Sequence, residues 1–413
     1  MKVTLLALVL LIAACGSPNA PQARSSIQPS AATSPFSQPV TPGYSPAPSG
    51  TFSPAPSPHP SPIHVTPPAA GLLFAVVQNV VGSGCCGGEP TGVSADTVAI
   101  MGLDGHVKAK ATFVPRKLPA IGSSAVILQS PAVVAGSGVY YLDGNGTVRV
   151  LRVNSTPQVV ATFPQQGRQS YETWFAVSPT GSSIVAGVVT SDAVGSYFDL
   201  YTAPAGGAPT RTVNSAAVGP PEGTMVNLPL PIGWISAGPV VMSPRYITLQ
   251  NAWFGGPLQV LAFGPGGVKG TSVGGADCRS ASITPAGLIP CISGNEVVTV
   301  QDTTGKVIWT THVAAFNAAS LYLSPDGQSI SNGQQASSDG GATWYMVVDT
   351  HSRGTVQLPR GFRIEGWLDN NTVIGAVTSP GSGNEGNLSW VSLEDAATVH
   401  DLGFKGDFVA PLA

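Results

Sequence analysis

Fifty glycines and 38 prolines in a chain of 413 residues, with hydrophobic residues still at 43%, call for many short strands punctuated by turns and exclude a fold of long helices. Only 9% of residues are charged, 18 Lys+Arg against 21 Asp+Glu. No basic field therefore exists to hold nucleic acid, a net charge of -3 steers no charged partner strongly, and the surface must be covered by Ser, Thr, Asn, Gln and Gly.

The N-terminus reads as an address. Lys2 supplies a cationic start and residues 3–14 an apolar core too short to span a bilayer as a mature helix, which is the anatomy of an export signal. The run Ile12-Ala13-Ala14-Cys15 resembles the bacterial lipobox. That resemblance implies removal of a signal peptide at 1–14, lipid modification of Cys15, and anchorage of a bacterial lipoprotein on the extracytoplasmic side of a membrane of the cell envelope.

Residues 15–69 are dominated by Pro, Ser, Ala and Thr, a composition that cannot bury enough apolar surface to fold and that favours extended polyproline II. At ~3.1 Å per residue such a tether reaches on the order of 150 Å. His59 and His64 within it are too loosely spaced for a metal site.

From residue 70 to 413 one unit recurs: a β-rich segment, a turn of Gly, Asp or Pro, and a second β-rich segment. Seven copies have turns near residues 104, 144, 205, 266, 304, 351 and 395. Their mean step of about 48 residues falls in the range of WD40-like and related propeller blades. Between these outer hairpins lie inner ones, as in "WFAVSPTGSSIVAGVV", "SASITPAGLIPCIS" and "SLYLSPDGQSISNG". In Ser-Pro-X-Gly, Pro fixes φ at the first corner and Gly accepts a positive φ near the end. Inner and outer hairpins make four strands per unit, so the fold expected is all-β, a seven-bladed β-propeller, with six or eight blades left open by the uneven steps. The first unit lacks an inner strand, whereas residues 406–413, "GDFVAPLA", are a surplus one. They are expected to complete the first blade and close the ring, since an open sheet edge would otherwise remain.

Four cysteines remain after Cys15, an even number in an oxidising compartment. Three pairings exist. Cys278 with Cys291 is favoured because the two flank the turn at 284–287, leaving Cys85 and Cys86 to form a neighbouring-residue disulfide or stay reduced.

Two strings resemble known propeller repeats. Ser337, Asp339, Gly341, Thr343 and Trp344 match the Asp-box S-x-D-x-G-x-T-W at every defined position. The string resembles the neuraminidase-type repeat of sialidases, sortilin-type receptors and photosystem assembly factors, where the box is a structural turn; the resemblance implies a structural role. A sialidase would add an arginine triad and an N-terminal "FRIP"-like run, and the nearest string here is "FRIE" at 362–365. The segment "VVTVQDTTGKVIW", ending at Trp309, looks like the quinoprotein-type repeat with Asp302 and Thr304 one residue too close. The adjacent Cys85-Cys86 pair is similar to one in quinoprotein dehydrogenases. That superfamily also includes a lipoprotein scaffold of outer-membrane protein assembly. One imperfect copy implies kinship of fold, and no cofactor is expected.

The turn "LDGNGT" at 142–147 offers Asp143 and Asn145 as oxygen ligands, yet Asn and Gly there serve a tight hairpin, and no metal site is assigned. No H-E-x-x-H, C-x-x-C or phosphate loop is present, and His106, His312, His351 and His400 stand without ligand-spaced neighbours. An enzymatic reading is therefore left open and disfavoured.

In a propeller the connections between blades and those between second and third strands share one face. Here these are the long ones. They carry Trp253 and Phe254 between Asn and Gly, and the carboxylates Glu89, Asp192, Glu222 and Glu385. An aromatic pair on a loop-rich face suits a sugar or protein surface. The function expected is a membrane-tethered, monomeric binding or scaffold module for an envelope protein or glycan. The alternative is a carbohydrate-active hydrolase or lyase using acidic residues over the channel.

Overall fold

The structure is a computed structural model that describes residues 71–78, 96–114, 132–144, 146–164, 170–191, 196–219, 229–243, 255–264, 267–293, 297–312, 321–337, 344–352, 354–378 and 385–413. The chain divides into two units, Met1–His59 and Pro60–Ala413, and every described residue belongs to the second.

That unit is a seven-bladed β-propeller of antiparallel sheets. Blade one takes β1 (Leu73–Gln78), β2 (Asp96–Gly102) and β3 (Val107–Phe113). Blade two is β4 (Ala132–Ala135), β5 (Gly138–Asp143), β6 (Thr147–Leu151) and β7 (Gln158–Thr162). The long third blade is β8 (Ser170–Val177), β9 (Ser183–Ser191), β10 (Ser196–Pro204) and β11 (Thr210–Gly219). Blade four follows with β12 (Leu230–Ile235), β13 (Gly238–Met242), β14 (Leu258–Gly264) and β15 (Gly267–Val273). Blade five has three strands, β16 (Ile289–Ser293), β17 (Val297–Gln301) and β18 (Val307–His312). In blade six stand β19 (Leu321–Leu323), β20 (Ser329–Ser337), β21 (Trp344–Thr350) and β22 (Gly354–Gln357). Blade seven holds β23 (Phe362–Trp367), β24 (Thr372–Thr378), β25 (Glu385–Ser392) and β26 (Asp395–Phe404). The last strand, β27 (Asp407–Pro411), returns to pair with β1 as the inner strand of blade one. The surplus segment of the sequence thus closes the ring. Pro411 suits that place, because an edge strand can spare an N–H.

Strand sequence follows depth in the blade. Second strands lie between neighbouring blades and are buried on both faces, as Phe74, Ala75, Val76 and Val77 are, so they read as continuous apolar runs. Outer strands alternate instead, β3 exposing Val107, Lys108 and Lys110 while burying Ala111 and Phe113. The hydrophobic clusters straddle adjacent blades, one of them joining β1 and β2 of blade one to Ile374 and Leu388 of blade seven across the closure.

The inner turns repeat one hydrogen-bond scheme. Ser178, Thr284 and Ser324 each place a side-chain oxygen under the backbone N–H that starts the second strand, at 3.0, 3.0 and 2.9 Å. Gly181, Gly287 and Gly327 close the same turns with φ of 71°, 82° and 71°, a region in which a Cβ is strained. Gly327 also leaves room for Leu288 of blade five, and its carbonyl accepts the indole N–H of Trp309 at 2.7 Å. The quinoprotein-like string therefore builds a seam: Asp302 Oδ1 organises its own turn by accepting from the N–H groups of Thr304 and Lys306, and Trp309 ties that blade to the next.

Two expectations need correction. In blade two the hairpin at 142–147 joins the second and third strands, β5 and β6, rather than the outer pair. A tight turn there, with Gly146 N–H donating to Asp143 O at 2.9 Å, makes this middle hairpin look like an outer one. Blade five has no continuous inner strand: Arg279 bridges Ile292 while Ser280 turns its backbone to Gly256 of blade four. The Ser280 hydroxyl donates to Ser282 O and accepts from Ser282 N–H, a local loop that competes with a ladder. The outer turn of blade six falls at His351, where the sequence places it, and the Asp-box string occupies the connection between β20 and β21, where Ser337 pairs with Trp344.

Cys278 and Cys291 are joined by a disulfide with Cα atoms 4.8 Å apart and both residues buried, so the covalent link holds the bridged segment of blade five against β16.

Candidate functional site

The most unusual chemistry among the described residues lies where the ring closes. β23 is the inner strand of blade seven, and its register against β24 slips between Ile364 and Gly366, which makes Glu365 the extra residue of a β-bulge. A bulge re-aims a side chain out of the pleat. Glu365 turns toward β27: its Oε2 accepts the backbone N–H of Phe408 at 2.8 Å, and its Oε1 accepts from the Arg363 guanidinium at 3.2 Å. Since β27 pairs with β1 along one edge, a bond from Phe408 N–H to blade seven uses the edge that looks away from its own sheet. Gly366 makes the approach feasible, because a Cβ there would meet the Phe408 ring at 2.5 Å.

The Glu365 side chain is only 10% exposed, while Arg363 is 37% exposed. Burial pushes the carboxyl up to about 7 from an ordinary 4.5; the Phe408 N–H and Arg363 pull it down, and the Asp407 charge pushes it further up. Tyr322 on β19 is raised chiefly by burial and next by the charge of Glu365. Asp96 on β2 is raised by burial and by Asp407. Trp367 completes the stitch on the other side by donating its indole N–H to Tyr322 O at 2.8 Å. Inner strands of blades six, seven and one thus share a chain of contacts through Tyr322, Glu365 and Asp407. Sequence reading noticed the string "FRIE" but not its acid. A signal existed, since Glu365 interrupts an apolar inner strand, though only the bulge and its partner on a strand 43 residues away give it meaning.

At the seam of blades six and seven, the short turns line a polar depression of about 310 Å³ with Asp326, Gln328, Ser352, Asn370 and Asn371 among its walls. Asn370 Oδ1 accepts the Asp326 N–H at 3.0 Å, which fixes the two turns to each other.

Of the residues singled out from the sequence, Cys15, Cys85, Cys86, Glu89, Asp192, Glu222, Trp253, Phe254, Asp339, Gly341 and Thr343 lie outside the described residues. The signal at 1–14 and the tether at 15–69 do so too. Glu385 is the first residue of β25, opposite Thr378, rather than a residue of a free connection: strands reach further into the polar loops than apolar periodicity shows. His351 packs its ring 5.5 Å from Trp309, and His400 stacks on Trp390 at 3.7 Å. The string Gly270-Thr271-Ser272-Val273-Gly274 has the spacing of a hydrolase nucleophile elbow, G-x-S-x-G. It runs along outer strand β15 with Ser272 exposed and opposite Gln259, whereas an elbow needs a sharp strand-to-helix turn.

No protein-family model matches the sequence, and no curated protein matches it either. Solved propeller structures resemble it. The dihydro-heme d1 dehydrogenase NirN, in complex with DHE, is 14% identical with a TM-score of 0.38 over 80% of this chain, which spans 63% of NirN. BamB from Moraxella catarrhalis is 14% identical with a TM-score of 0.30, over 67% of this chain and 74% of that one. The C-terminal WD40 domain of Sif2 is 12% identical with a TM-score of 0.35, over 72% and 90%. With TM-scores below 0.5 and identities of 12–14%, these likenesses carry no argument, and the propeller rests on the strand pairing itself.

Proposed function

We propose that the protein is an extracytoplasmic binding or scaffold propeller, tethered to a membrane through lipid on Cys15 and a Pro/Ser-rich segment at 15–69, with an envelope protein or glycan as its ligand. The observation that carries the reading is the asymmetry of the closed ring. Inner and outer turns on one side are short and stitched together by Trp309, Asp326 and Asn370. The strand ends on the other side are joined by segments as long as 79–95, 220–228 and 244–254. A rigid ring presenting long connections is built for recognition. Trp253 and Phe254, with Glu89, Asp192 and Glu385 near the same strand ends, are the proposed contact residues. Binding of the full chain to arrayed peptidoglycan fragments, surface glycans and envelope proteins tests the reading. A Trp253→Ala variant is expected to lose at least about tenfold in affinity, as removal of an aromatic anchor does; unchanged affinity removes the aromatic pair from the site.

One observation favours the carbohydrate-active alternative. Burial raises the Glu365 carboxyl to about 7, the range a general acid needs, and the Asp407 charge pushes it further up. Turnover of an envelope polysaccharide by the native chain and its loss in Glu365→Gln would establish that reading, and absence of turnover would end it.

A further inference from the structure

The strand that closes the ring is held on both edges in different ways. Along one edge β27 forms a ladder with β1, pairing Ala75 with Ala410 and Val76 with Phe408, and its own bulge falls at Val409 between those pairs. On its other side the Phe408 N–H is taken by a side chain, Glu365 Oε2. Among the described residues, backbone at the chain end supplies two further bonds, Leu412 N–H to Leu73 O and Ala413 N–H to Gly136 O. A short terminal strand with a bulge in its middle opens more readily than a central one, so the Glu365 contact weighs heavily in its retention.

We propose that Glu365 is a proton-controlled latch on the closing strand: as a neutral acid it holds β27 to blade seven, and as a carboxylate it loosens that strand and opens the ring at its seam. The groups that face it are Arg363 from its own strand, Asp407 from β27 and Tyr322 from β19, with Asp96 of β2 behind Asp407. Arg363 is the single cation in this set and is more than a third exposed, so it compensates the buried carboxylate incompletely, while Asp407 repels it. The neutral acid still has a carbonyl-type oxygen to accept the Phe408 N–H, so protonation keeps the latch and removes the cost of burying charge beside Asp407. The ring therefore closes more firmly in weak acid than above neutrality.

Amide hydrogen exchange of the full chain, read as protection factors corrected for the intrinsic effect of pH, tests this. Protection of the β27 amides is expected to fall on the order of 100-fold between pH 5 and pH 8, as the linkage of a strongly shifted acid allows. The second-strand amides of β20 serve as an internal standard that should not follow. Glu365→Gln, a permanently neutral acceptor, should hold β27 protected at both pH values. Asp407→Asn, with Glu365 left in place, should move the midpoint of the loss to lower pH. An unchanged β27 protection factor in the native chain overturns the latch. So does an identical fall in Glu365→Gln, or a midpoint that ignores Asp407→Asn.

Discussion

Blade five and blade one face the same problem and solve it differently. Neither has a continuous inner strand contributed in sequence order. Blade five keeps a remnant, Arg279 and Ser280, and fastens it to β16 with the Cys278–Cys291 disulfide. Blade one borrows β27 from the far end of the chain and fastens it with a ladder and the Glu365 side chain. The covalent fastening acts through a loop of 13 residues and is indifferent to protons. The non-covalent one spans the whole domain and is tied to the charge of a buried acid. A repeat ring can thus be incomplete at two points and still close, provided each gap has its own device.

Removing β27 should separate the two blades most sharply. A chain ending at residue 405 exposes Phe74, Val76 and the β1 edge, and is expected to lose on the order of 5 kcal/mol, a large share of a domain's stability, in urea unfolding. Cys278→Ser should come next, with a loss of about 3 kcal/mol, typical of a short closed loop. Reductant should reproduce that loss in the native chain and leave Cys278→Ser unaffected. The Cys278→Ser loss should not vary between pH 5 and pH 8, whereas the cost of removing β27 should be larger at pH 5, where neutral Glu365 holds that strand.

Blade one should vary. The folded-state pKa of Glu365, about 7, lies above its ordinary 4.5, so the stability it contributes is complete below about 4.5 and is lost as pH rises through about 7. The full span corresponds to about 3 kcal/mol for a shift of this size. Glu365→Gln should flatten the stability profile over that window and leave the variant more stable than the native chain at pH 8, by chemical denaturation at each pH. The smallest effect belongs to an inner turn of the repeated kind: Ser324→Ala in blade six orphans the Ser329 N–H and should cost about 1–2 kcal/mol without pH dependence.

Much of the fold was legible because each blade repeats local chemistry. Ser324-Pro325-Asp326-Gly327 announces its turn, Cys278 and Cys291 flank another, and "GDFVAPLA" stands out as an unpaired strand at the chain's end. Blade two misled because the tight turn at Gly144 and Gly146 sits between second and third strands, and a single sequence carries no mark of which pair is outermost. Glu365 was missed because a lone acid within "FRIEGW" looks like any partly exposed strand residue until its neighbours are known.

By itself the sequence determined the class of the fold, the approximate number of blades, the turn chemistry and the strand that closes the ring, because strand period, Gly and Pro placement and repeat length are local properties of the chain. Only the tertiary structure decided how blades two and five are assembled and that Glu365 meets Phe408 beside Asp407. Those outcomes depend on register and on contacts between residues far apart in sequence, and the charge of a buried acid is set by what surrounds it in space.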